Sequence, residues 1–191
     1  MNDLNSGDTT DHRLLTAPLD PDVQRRIARL RQLGLGNRPV REFDEFAARL
    51  ANFARTPLAM VNFIGEDEQY FAGLYAGNSA NAGVLEAAQS SANASVSRVM
   101  ARDHGYCPYV VVRRKALVLD DVCAYPRFSG NPVVDEIGIR SYIGAPLIDD
   151  TGVALGTICA VADHTSDWGR PGLEAIKSMA AELVSLIQRR A

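Results

Sequence analysis

Residues 138–162, "GIRSYIGAPLIDDTGVALGTICAVA", decide the fold. Two apolar runs, "IRSYIGAPLI" and "VALGTICAVA", flank "DDTG", a polar turn whose glycine suits a positive φ, so the stretch reads as a β-hairpin. Just upstream, "ALVLDDV" adds a strand at Ala116–Leu119 that ends in Asp120 and Asp121. Between that strand and the hairpin lies "YPRFSGNP" (125–132), whose prolines and glycine exclude a long helix or a central strand. An ordered loop that carries Tyr125, Arg127 and Phe128 either plugs its own core or holds a small molecule. Asn131 and Pro132 read as the N-cap and first-turn proline of a short helix, "NPVVDEIG".

Further upstream, "YCPYVVVRRK" gives a short helix or turn that begins near Pro108. The run Leu58–Ile64, the turn "GEDE" and the run Gln69–Tyr75 form a second antiparallel hairpin. Before it, Val40, Phe43, Phe46, Ala47, Leu50 and Ala54 share one face of a helix over about 40–55. Asp20 and Pro21 open an earlier helix with the stripe Val23, Ile27, Leu30 and Leu33, ended by Gly34 or Gly36. At the other end, Leu173, Ile176, Met179, Ala180, Leu183, Val184 and Ile187 make a closing amphipathic helix with basic residues at its C-terminus. The layout is therefore a disordered tail at 1–18, an N-terminal helix at 19–36 and a main domain at 37–191. An Ala/Ser/Asn/Gly-rich insertion at 76–97 carries a short helix at Val84–Gln89. Hairpin strands flanked by terminal helices imply an α+β architecture, an antiparallel sheet with helices packed on it.

Bulk properties exclude several classes. The 191 residues carry a net charge of only −3, which suggests neither a nucleic-acid footprint nor a polybasic membrane patch. No apolar run is long enough to span a bilayer, and the N-terminus lacks the pattern of a signal peptide. Cys107, Cys123 and Cys159 form no disulfide framework and no zinc motif, so a reducing, cytoplasmic setting is expected. His104 lies near Cys107, but the pair reads as a loop histidine beside a buried thiol rather than a metal site. No phosphate-binding glycine loop, dinucleotide fingerprint or nucleophile–base motif is present. Neither catalysis nor a metal is expected, and no cofactor is assignable.

The segments "FDEFAARLANFARTPLAMVNFIGEDEQYFAG", "YCPYVV" and "LVLDDVCAYPRFSGNPVVDEIGIRSYIGAPLIDDTGVALGTICAVA" resemble the GAF domain family of small-molecule sensor modules, in particular a bacterial subgroup. The resemblance runs from about Phe43 to the last helix. It implies a GAF-like sheet with the terminal helices on one face and pocket-covering loops and short helices on the other. Members that attach a bilin resemble one another in a cysteine followed by histidine, whereas Cys107, Cys123 and Cys159 precede proline, alanine and alanine. "DVCA" is similar to a second-cysteine motif of such members but lacks its phenylalanine. The asparagine–lysine motif of the cyclic-nucleotide binders is also missing. Free methionine-sulfoxide reductases carry a more closely spaced cysteine set, while Cys159 lies inside a strand where a small apolar residue packs.

What the resemblance implies is a stand-alone sensor that binds a small-molecule ligand, forms a homodimer through its first and last helices and signals to a separate output protein. The ligand-contact candidates are Phe71 as floor, Cys107 as roof, Tyr109 and Tyr142 as amphipathic contacts, and Asp121, Arg127 and Phe128 in the covering loop. Arg127 is expected either to pair with Asp121 or Asp135 or to reach a ligand anion. Two alternatives stay open: a degenerate scaffold whose pocket is filled by its own side chains, and a thiol-based redox enzyme of the methionine-sulfoxide reductase type.

Overall fold

The computed structural model describes residues 18–77 and 97–190. The expected tail, the Val84–Gln89 helix and nearly all of the 76–97 insertion lie outside the described residues. Two helices, α1 (Val23–Gln32) and α2 (Arg41–Ala54), precede the hairpin of β1 (Leu58–Ile64) and β2 (Glu68–Ala76). After β3 (Val99–Ala101) come α3 (Cys107–Arg113), β4 (Leu117–Leu119) and a 3₁₀ turn at Val122–Ala124. The short helices α4 (Pro126–Ser129) and α5 (Pro132–Ile137) lead to β5 (Ser141–Ile148) and β6 (Ala154–Ala162), and α6 (Gly169–Arg190) closes the chain. Strand β3 was not anticipated from sequence, because its three residues follow a segment without period-2 patterning.

The six strands form one antiparallel sheet in the order β3-β2-β1-β6-β5-β4. Both expected hairpins are present, and Gly152 takes a φ of 75° in the turn between β5 and β6. Strands β1 and β6 pair at the centre, with Leu58 opposite Val161 and Phe63 opposite Gly156. Every residue of both strands is buried, so each side chain must satisfy one of two cores.

On one face, Phe43, Ala47 and Leu50 of α2 and Ile176 and Leu183 of α6 pack on Val61, Phe63, Ile143, Leu155 and Ile158. Helix α2 lies so close to β2 that a Cβ at Gly73 would run into the Phe43 backbone carbonyl. The stripe of α6 is narrower than the sequence suggested: Gly172, Ile176, Ala180, Leu183 and Ile187 are buried, whereas Leu173, Met179 and Val184 are half-buried flanks.

Helix α1 starts later than expected. The Asp20 carboxylate accepts the Asp22 N–H at 3.1 Å, ahead of the first helical turn. Its most buried residues are Leu30 and, against expectation, Arg26, while Val23, Ile27 and Leu33 are half-buried. The Arg26 guanidinium donates to the Ala154 carbonyl at 2.6 Å and to Asp20 at 2.6 Å, which compensates its burial. A second tie joins Arg29 to Asp149 at 2.6 Å, and Asp149 also accepts from the Thr151 hydroxyl and the Val153 N–H.

Burial alone would raise the Asp149 carboxyl, but the Thr151 hydroxyl, Arg29 and the Val153 N–H outweigh it and hold the group below its ordinary value of 3.8. A depressed native value stabilises the fold above the ordinary carboxylate range, and that contribution is lost as pH falls through the native value. Urea titrations of Asp149→Asn are therefore expected to show a loss of about 1–3 kcal/mol near neutrality that shrinks toward strongly acidic pH. Gly73→Ala is expected to lose about 1–3 kcal/mol by overpacking, without pH dependence.

Candidate functional site

The second core, on the opposite face, is not filled completely. Alternation along the strands sends Leu58, Met60 and Asn62 of β1, Tyr142 of β5, and Cys159 and Val161 of β6 to this face. A bulge in the β1–β2 pairing, between Val61 and Asn62, brings Gln69 and Phe71 to the same side. The start of α3, at Tyr106 and Cys107, and Val133 and Ile137 of α5 roof the space. Together they line a cavity of about 70 Å³ with a mostly apolar wall. Ser97 and Val99, at the start of β3, complete its lining, and Val99 is exposed.

A short polar row crosses this apolar face. Asn62 Nδ2 donates to Gln69 Oε1 at 2.7 Å. Gln69 Nε2 in turn donates to the carbonyls of Ala101 (2.8 Å) and His104 (2.7 Å), which holds the loop before α3 against the sheet. Thr157 stands opposite Asn62 in the β1–β6 register. Both side chains are fully buried, and Asn62 Oδ1 and Thr157 Oγ1 have no hydrogen-bond partner. An unsatisfied buried polar atom costs about 1–3 kcal/mol, so a site that leaves two of them is unusual in an ordinary core.

Next to this row, Cys107 Sγ lies 3.4 Å from Cys159 Sγ and 3.5 Å from the Tyr142 hydroxyl. Gly144 makes the arrangement possible, because a Cβ there would overlap the Tyr142 hydroxyl. Hydrogen bonding to the Cys159 thiol, with help from Tyr142, pulls the Cys107 thiol below its ordinary value. The same contact and burial push Cys159 well up, and burial together with the two sulfurs pushes Tyr142 up.

Of the seven residues expected at the site, Phe71, Cys107 and Tyr142 line the cavity. The other four do not line it. Phe128 is buried edge-on against Tyr106 and Tyr109, with ring centroids 5.6 and 5.7 Å apart, and so plugs the lid from outside. Arg127 pairs with neither Asp121 nor Asp135. It is exposed and stacks its guanidinium over Tyr109, 5.6 Å from the ring centre. Asp121 caps the 3₁₀ turn through the Cys123 N–H and bridges to Arg140 at 3.2 Å. Asn131 caps α5 through the Val133 N–H, as expected, and makes a reciprocal pair with the Gly105 N–H and C=O at 2.9 Å each.

His104 turns its ring nitrogens to Asp103 (2.7 Å) and Glu136 (3.1 Å). Among the described residues, no cluster of three His, Cys, Asp or Glu could hold a metal ion, and no helix is long and apolar enough to cross a membrane. Sequence reasoning passed over Asn62, Gln69, Met60 and Tyr106. A signal existed for Asn62: it is the one polar residue in "LAMVNFI", and period-2 alternation puts it on the face of Leu58 and Met60.

One antiparallel sheet between a helical layer and a lid with an interior cavity defines an α+β sandwich domain. Residues 39–187 match the GAF domain family, and the chain belongs to it. It is 28% identical over 150 residues to the cyclic di-GMP phosphodiesterase PA2567 of Pseudomonas aeruginosa, covering 78% of this chain but only 22% of that protein. The GAF domain of an Acinetobacter phosphoenolpyruvate-protein phosphotransferase superposes with a TM-score of 0.56 at 11% identity, covering 90% of this chain and 96% of that one. The type II free methionine-R-sulfoxide reductase of Thermoplasma acidophilum superposes with a TM-score of 0.53 at 12% identity, covering 78% and 91%. At these identities the two structures establish a shared fold.

Asn131→Ala is expected to cost more than the roughly 1 kcal/mol of an ordinary lost cap. It also strands the N–H and C=O of Gly105, so hydrogen exchange at the Gly105 amide should accelerate together with the drop in stability.

Proposed function

We propose that this chain is a sensory GAF domain that holds a small, largely apolar ligand in the cavity between the sheet and the α3–α5 lid. The observation that carries the reading is the cavity itself: an apolar chamber whose walls present Asn62, Tyr142 and the thiols of Cys107 and Cys159. A few polar groups in an apolar pocket are the usual composition of a ligand site. At about 10–15 Å³ per water, the 70 Å³ chamber takes roughly five to seven waters, or a ligand with a comparable number of heavy atoms. A cyclic dinucleotide, the substrate class named for the Pseudomonas relative, is much too large for it as its walls stand. That relative is also more than four times longer than the aligned segment, so its activity gives no assignment here.

Signal transfer is proposed to run through α1 and α6. Both keep half-buried apolar residues on their flanks, such as Ile27, Leu33, Met179 and Val184, which suit packing against a second copy and then an output protein. A ligand moves such an assembly only by binding one arrangement more tightly than another.

Native mass spectrometry of freshly purified protein tests the reading. The expected spectrum is a dimer with an excess mass that disappears on denaturation. Val161→Phe, which projects a ring into the chamber, should keep the fold and lose that mass. A bare native spectrum from protein taken directly out of lysate would instead favour a scaffold without ligand.

A further inference from the structure

Cys107 and Cys159 are 52 positions apart in sequence, yet their sulfurs are 3.4 Å apart on the cavity wall. Two thiols in van der Waals contact need to approach by little more than 1 Å to reach the disulfide length of about 2.05 Å. Cys107 sits at the first turn of a short helix, and Cys159 sits in a central, fully buried strand of the sheet. The approach therefore falls on the start of α3, which no strand pairing holds in register.

We propose that Cys107 and Cys159 form a peroxide-reactive dithiol, a reversible oxidation site built into the wall of the cavity. The chamber supplies the access that full burial would otherwise deny, and hydrogen peroxide, with two heavy atoms, is small enough to enter it. Cys107 is the nucleophile. Its thiolate attacks one peroxide oxygen, an S–O bond forms, the O–O bond breaks, and hydroxide leaves and is protonated to water. The resulting sulfenic acid then faces Cys159 directly. The Cys159 sulfur attacks the Cys107 sulfur, the S–S bond forms, the S–O bond breaks, and a second water leaves with the Cys159 proton. Two thiols are oxidised to a disulfide and one peroxide is reduced to two waters, so no other reactant is needed.

The lowered Cys107 and raised Cys159 fit this order of attack and resolution. Tyr142, 3.5 Å from Cys107, stands where its hydroxyl can stabilise the thiolate. Closing the bond draws the start of α3 onto β6 and reshapes the chamber, so oxidation and occupancy act at one place. The proposal holds whether or not the chamber takes another ligand.

The test uses the full chain. Reduced protein is exposed to a small excess of hydrogen peroxide, denatured, alkylated and mapped by mass spectrometry without reduction. The expected result is the loss of two alkylatable thiols per chain, with the Cys107 and Cys159 peptides joined and released by dithiothreitol, while Cys123 stays alkylatable. Cys123→Ser should give the same link, and Cys159→Ser should stop at a dimedone-reactive sulfenic acid on Cys107. The wild-type map stands alone if a variant fails to fold. Full alkylation of Cys107 and Cys159 with oxidation confined to exposed Cys123, or a link that involves Cys123, overturns the proposal.

Discussion

The pairing of β1 with β6 is the constraint from which the rest of the structure follows. These strands are far apart in the chain but adjacent at the middle of the sheet, and both are buried from end to end. A Cβ at Gly156 would overlap the Asn62 backbone carbonyl, so the two backbones meet more closely there than a side chain permits. That contact fixes the register, and the register decides which residues face helices and which face the chamber. A slip of one position would exchange the two sets.

The two faces are finished differently. On one, two long helices cover the strands with side chains that interlock, and surface ion pairs such as Arg49–Glu182 and Arg190–Glu42 run between them. On the other, the cover is assembled from short pieces: α3, α4, α5 and the loops that join them. Such pieces cannot fill a core by helix packing alone. They are tied instead by specific hydrogen bonds, from Asn131 to the Gly105 backbone and from Gln69 to the carbonyls of Ala101 and His104. The lid is therefore held at a few points over the cavity, beside which Asn62, Thr157 and the two buried thiols lie.

Much of the fold was legible in the residues because the two periodicities are strong. Phe43, Ala47 and Leu50 mark a helix face, and the alternating runs around "DDTG" mark a hairpin. Three candidates on regular elements reach the cavity, Phe71 and Tyr142 on strands and Cys107 at a helix start, whereas Tyr109, one turn into the same helix as Cys107, packs on Phe128 instead. In the covering loop, side-chain direction depends on which neighbour offers the better contact. Arg127 found the Tyr109 ring rather than an acid, and Asp121 found Arg140. The contact between Cys107 and Cys159 was hidden for another reason. Proximity across 52 positions depends on how α3 docks on the sheet, and no local pattern records that. Asn62 was different, since its position in an apolar run carried the information openly.

The buried guanidinium of α1 has a mechanical meaning. Arg26 grips the Ala154 carbonyl at the root of β6 and the Asp20 carboxylate at once, with almost no solvent contact. Sliding the helix partway would leave a charge facing apolar walls, so intermediate positions are the least favourable ones. Helix α1 is thus a latch rather than a spring: it stays clamped to the strand that carries Cys159, or it lets go altogether.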